Sequence, residues 1–82
     1  MTRAKIRITL KPTVLDAQGA VVEQALHSLG YEGVRQVRMG KYVELELADG
    51  ADADAQVRAM CEQLLANPII ESYAFELERA DR

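Results

Sequence analysis

A single cysteine, Cys61, excludes an internal disulfide, and a single histidine, His27, cannot build a zinc site in the company of that cysteine alone. Tryptophan is absent, and the only aromatic residues are three tyrosines and one phenylalanine. Stacking platforms for single-stranded RNA are correspondingly scarce. No stretch approaches the roughly 18 apolar residues of a membrane span, and the segment from Met1 to Lys11 alternates polar with apolar, unlike a secretion signal. A soluble, cytoplasmic protein is expected. Ten Lys plus Arg face thirteen Asp plus Glu, for a net charge of −3. The basic excess that phosphate-driven binding needs is missing, so neither nucleic acid nor membrane is an expected partner.

The 82 residues, 49% of them hydrophobic, fit one domain over residues 1–82 and leave no room for a second. Surface scaling gives about 4,900 Å² of accessible area for a compact fold of this mass. At that size burial and ordering nearly cancel, so self-association is an expected source of further stability.

From Arg3 to Lys11 the residues Ala4, Ile6, Ile8 and Leu10 alternate with polar ones, which predicts a strand with one buried face. Pro12 ends it. Asp16 is placed to cap a helix whose apolar residues Val22, Ala25, Leu26 and Leu29 follow helical spacing, and Gly30 is placed to stop it. Val37 and Met39 open an alternating run that meets Gly40-Lys41 and continues through Val43, Leu45 and Leu47, which predicts two strands joined by a tight turn. After Asp52 and Asp54, either of which could cap, Val57, Met60, Cys61, Leu64 and Leu65 mark the core stripe of a second helix. Asn67-Pro68 ends that helix, and Ile69, Tyr73, Phe75 and Leu77 supply the inner face of a last strand.

The outward residues of the first strand are mostly basic (Arg3, Lys5, Arg7, Lys11), whereas those of the last two are acidic (Glu44, Glu46; Glu76, Glu78). Opposite charges pair across ladders if the basic strand lies between the two acidic ones. The expectation is an α+β fold, βαββαβ, with a four-stranded antiparallel sheet of order 4-1-3-2 and two helices on one face, as in ferredoxin-like domains. A dimer could complete the sheet differently.

Chemistry-bearing residues are few. His27 falls on the polar side of the first helix and is expected to face solvent, with no nucleophile beside it. Cys61 lies on the apolar stripe of the second helix, where a thiol acts as a small hydrophobe. Between Lys11 and Gly19 a strand end, a helix start and a glycine in the first turn coincide. Alanine would favour the helix there, so Gly19 implies that something approaches the backbone closely. A helix amino terminus flanked by Lys11 could hold an anion, although no Gly-rich phosphate loop is present. Lys11, Asp16, Gln18 and Gly19 form one candidate contact surface. Tyr31, Lys41 and Tyr42 extend it, because tyrosine is a favoured interface anchor.

Leu10-Lys11-Pro12, Val14-Leu15-Asp16 with Gln18-Gly19, Ser28-Leu29-Gly30-Tyr31-Glu32-Gly33-Val34, Val37-Arg38 with Gly40-Lys41-Tyr42, and Leu64-Leu65-Ala66-Asn67-Pro68 occur in an order that resembles the PurS subunit of phosphoribosylformylglycinamidine synthase. Nearly the whole chain takes part. Departures are Ala17, where the family commonly has proline, and Thr13, where glycine or an acid is common. The resemblance implies a small non-catalytic subunit of an ATP-dependent ligase in purine biosynthesis. The partners it implies are a synthetase of the PurL type and a glutaminase of the PurQ type, with self-association into a homodimer or a dimer of dimers. The assembly converts formylglycinamide ribonucleotide, glutamine and ATP to formylglycinamidine ribonucleotide, glutamate, ADP and phosphate. ATP and Mg²⁺ then belong to the complex, and this chain holds no cofactor of its own while assisting ammonia transfer. A small ligand-binding regulatory domain of the same strand order is the competing expectation, since fold alone does not choose between them.

Overall fold

A computed structural model of the chain describes residues 1–50 and 52–79. Strand β1, Thr2–Leu10, follows the alternation of its sequence, with Ala4, Ile6 and Ile8 at most 1% exposed. Burying each isoleucine side chain contributes about 1.5–3 kcal/mol. β1 is the central strand of three, flanked antiparallel by β2, Gly40–Leu47, and β3, Glu71–Arg79, in the order β2-β1-β3. The outer face carries the expected charge alternation. Arg3 meets Glu46 at 3.2 Å, Lys5 meets Glu78 at 3.0 Å and Arg7 meets Glu76 at 3.6 Å. These pairs are exposed and individually weak, but the wrong strand order would have set acid against acid.

The sheet has three strands where four were expected. Residues 37–39 form no strand, and Gly40-Lys41 opens β2 instead of turning a hairpin. The physical reason lies in the backbone donors. The N–H of Val37 goes to Glu23 Oε1 at 3.3 Å and that of Met39 to Asp16 Oδ2 at 2.7 Å. Alternate donors that a ladder would have used are satisfied by helix side chains.

Helix α1, Ala17–Ser28, ends as its sequence indicates. Gly30, at φ +105°, donates to the His27 carbonyl, and Tyr31 donates to that of Leu26. Glycine takes this left-handed position without strain, and the paired bonds satisfy carbonyls that the helix leaves free. The return segment then runs back along the helix. His27 Nε2–H donates to the Val34 carbonyl at 2.7 Å, and the Glu23 and Asp16 bonds follow in turn. His27 is therefore half-buried and tied to this segment, not free in solvent as expected.

Helix α2, Ala53–Met60, lies on the inner face of the sheet, with Val57 and Cys61 fully buried against Ile6 and Ile8. Asp52 occupies its cap position but makes no side-chain capping bond. The helix continues as a π-helical turn, Cys61–Leu65, closed by the Ala66 N–H on the Cys61 carbonyl at 2.9 Å. This i→i+5 closure shifts the wheel by one position. Leu64, expected in the core stripe, consequently points outward at 82% exposure, and Ile69 precedes β3 at 81%. Over the β3 side, Arg58 sits 5.3 Å above the ring of Phe75, and Tyr73 donates to Glu62 at 2.7 Å.

Only one of the two expected helices covers the sheet. No residue of α1 belongs to the core cluster, and Val43 and Leu45 on the β2 side remain partly open. The molecule measures 49 × 31 × 14 Å with a radius of gyration of 16.3 Å. A compact chain of this length would have about 12 Å. Its accessible surface, 5,909 Å², likewise exceeds the roughly 4,900 Å² of a compact fold.

Candidate functional site

The turn between β1 and α1 and the segment before β2 cross at one end of the sheet, and each holds the other. Asp16, 6% exposed, accepts from Gly19 N–H at 2.8 Å through Oδ1 and from Met39 N–H at 2.7 Å through Oδ2. One carboxylate thus caps α1 and anchors the incoming strand. These two amide donors, that of Met39 foremost, hold its carboxyl below the usual carboxylate range. From the opposite segment Arg38 Nη2 donates to the carbonyls of Lys11 at 2.8 Å, Leu10 at 3.1 Å and Val14 at 3.4 Å. A planar guanidinium suits this work, because its donors stay charged and fixed in direction.

Gly19 is explained at the same crossing. A Cβ there would collide with the Val37 carbonyl oxygen, so the close approach implied by the sequence is made by the chain's own return segment. Gly40 is constrained in the same way by the Ile8 carbonyl. At the amino terminus of α1, the Asp16 carboxylate takes the Gly19 N–H, one of the amides that the external anion considered from the sequence would use.

Five of the singled-out residues come together at this end. Lys11 begins the turn and donates its backbone N–H to Ile70, Asp16 and Gly19 form the cap, and Gln18 and Lys41 face a shared cleft with Met39 and Glu71. Lys41 Nζ also approaches the Leu65 carbonyl at 3.4 Å, at the close of the π-helical turn. Tyr42 stands apart, because neighbouring residues of a strand face opposite ways. It lies on the outer face, 54% exposed, where its hydroxyl donates to Glu44 at 2.8 Å and its phenol is pushed above the usual range by that carboxylate. Tyr31, 60% exposed, lies beyond the far end of α1, about 18 Å from the cap by helix rise.

Two residues at the crossing were not singled out by sequence reasoning. Arg38 carried no motif of its own, and its role depends on three carbonyls brought near by the fold. Gln36 has φ +56°, the only described non-glycine residue with a positive φ. Nothing in its sequence context, which lacks the Asn or Gly usual at such a position, announces it. Beside it opens a cleft of about 750 Å³ lined by the 12–16 turn, Ala20, Glu23 and residues 36–38.

The family model for PurS, phosphoribosylformylglycinamidine (FGAM) synthase, matches residues 3–79. The chain is 53% identical over 75 residues to the PurS subunit of Synechocystis, covering 89% of this chain and 75% of that one. It is 48% identical over 79 residues to that of Bacillus subtilis, covering 95% and 94%. Among solved structures, Bacillus subtilis PurS superposes with a TM-score of 0.89 over 96% of this chain and all of that chain, at 48% identity. A chain in the structure of PurLQS from Thermotoga maritima superposes at 0.78, with 28% identity and 94% and 96% of the two chains covered. On this agreement of sequence and shape, the chain belongs to the PurS family of phosphoribosylformylglycinamidine synthase subunits.

Proposed function

We propose that this chain is the assembly subunit of a phosphoribosylformylglycinamidine synthase and carries no catalytic group of its own. The observation that carries this reading is α1, which the Asp16–Arg38 crossing holds away from the sheet. A helix and half a sheet face are left for other proteins to cover. The residue types able to act as base or nucleophile support the same reading. His27 gives its Nε2–H to Val34, and burial pushes the Cys61 thiol above its usual range, away from the reactive thiolate.

The chain named with PurL and PurQ in the Thermotoga complex has this fold, so the partners proposed here are a synthetase and a glutaminase of those types. ATP and Mg²⁺ are assigned to those partners, and the role of this chain in ammonia transfer is to hold the two active sites in register. A second copy is a further partner. The excess surface, the open β2 side of the inner face and the two free sheet edges favour a homodimer, or a dimer of dimers, in which the sheet is completed between subunits.

Sedimentation of the purified chain at micromolar concentration tests self-association, and co-sedimentation with its own synthetase and glutaminase tests assembly. A species of two or more chains that joins both enzymes is expected. A 9.1 kDa monomer that joins neither would overturn the reading.

A further inference from the structure

Helix α1 has two ionisable side chains, and the return segment takes both: Glu23 accepts the Val37 N–H, and His27 donates to the Val34 carbonyl. The opposite side of the helix is exposed and carries no charge. Val21, Ala25 and Leu29 run along it at four-residue spacing among Gln18, Gln24 and Ser28, with Val21 and Leu29 68% and 72% exposed. A helix side that faces water ordinarily carries charged residues. The inner face of the sheet has the matching deficiency. There α2 lies over β1 and β3, with Arg58 above Phe75 and Glu62 on the Tyr73 hydroxyl, whereas Val43 and Leu45 of β2 are left half-open. Glu44 and Glu46 alternate with them onto the outer face, so this floor is uncharged as well.

Within one chain these two surfaces do not meet, because the Asp16 bond to Met39 and the Arg38 bond to Lys11 fix α1 off the sheet. Between two copies they can. A two-fold axis gives each helix a sheet and each sheet a second helix in one step, whereas a different protein would have to bring a separate cover for both. The sizes agree. The 12 residues of α1 span about 18 Å, within the roughly 26 Å of the eight-residue β2. The accessible surface, 5,909 Å², exceeds that of a compact fold by about 1,000 Å². Covering that excess on two chains removes about 2,000 Å², the size at which obligate homodimer interfaces begin. We infer that two copies exchange α1, each laying the Val21, Ala25 and Leu29 side of its helix over Val43 and Leu45 of the other. The inference rests on the self-association proposed above and assigns its surfaces.

Isotope-filtered NMR on a mixture of labelled and unlabelled full-length chains tests this without any variant. Contacts between the methyls of Val43 or Leu45 and those of Val21, Ala25 or Leu29 should appear between chains. Their absence, or their appearance within one chain, would overturn the inference. Sedimentation of two variants gives a second reading. Ala25→Glu, at an exposed position where glutamate suits a helix, and Val43→Lys should each weaken self-association by at least about thirtyfold. An equal mixture of the two should recover most of that loss, because one helix-on-sheet contact is then wild type and the other sets Glu against Lys. Self-association of Ala25→Glu within about twofold of wild type would overturn the exchange. So would a mixture no tighter than its components, or an Ala25→Glu homodimer that fails only to join the synthetase, which would assign the helix to that enzyme. A wild-type chain that stays monomeric yet joins both enzymes would overturn the exchange and leave the assembly role standing. One that joins neither would overturn both.

Discussion

Asp16 and Arg38 face each other across the crossing of two chain segments, and each bonds the backbone of the segment opposite: Asp16 Oδ2 takes the Met39 N–H at 2.7 Å, while Arg38 Nη2 reaches the Lys11 carbonyl at 2.8 Å. The guanidinium also favours the charged form of the carboxylate, as a lesser influence than the two amides. This reciprocal tie sets the direction of α1 relative to the sheet. Function follows through geometry, since the direction of α1 decides which surfaces remain open to partners.

The tie has a pH signature. The folded state holds the Asp16 carboxyl below its ordinary value, so the stabilisation is fully present above the unfolded value, near about pH 4. It is lost as pH falls through the lower folded value. Asp16→Asn keeps a capping oxygen but no charge. Urea midpoints measured from pH 7 downward should show wild type the more stable at neutrality, with the gap closing below about pH 4. A gap independent of pH would contradict the assignment.

Gly19 and Gly33 make a controlled pair. Alanine favours a helix by about 1 kcal/mol over glycine, yet at residue 19 its methyl would meet the Val37 carbonyl, and such overpacking costs about 1–3 kcal/mol. Gly19→Ala should therefore melt at a lower temperature than wild type. Gly33→Ala, with open space around it, should change stability by less than about 0.5 kcal/mol. Equal melting temperatures for the two variants would show that the return segment yields easily.

Cys61 is fully buried at the junction of α2 and the π-helical turn. Cys61→Ala should cost on the order of 1 kcal/mol in thermal or urea unfolding. Turnover of the assembled enzyme should stay unchanged at a permissive temperature. Loss of turnover by a folded, assembled variant would give the thiol a chemical role.

Much of the sheet was legible because strand alternation and cross-strand charge are local signals. Ile6 and Ile8 marked the buried face of β1, and Glu44, Glu46, Glu76 and Glu78 placed it between β2 and β3. Val37 and Met39 misled because alternation records side chains, whereas the partners of their amides, Glu23 and Asp16, lie 14 and 23 residues away. The apolar stripe of α1 signals burial without naming the surface that buries it, so its displacement from the sheet was not legible. Of the site, the cap at Asp16 and the close approach at Gly19 could be read. Arg38 and the left-handed Gln36 could not, since their roles arise only once the two segments cross.

The most direct test of the assembly role is glutamine-dependent formation of formylglycinamidine ribonucleotide by the synthetase and glutaminase of the same organism, with and without this chain. The account predicts that without the chain turnover with glutamine falls by at least about tenfold, while turnover with free ammonia persists, because the synthetase chemistry needs no group from it. Equal glutamine-dependent rates with and without the chain would contradict it.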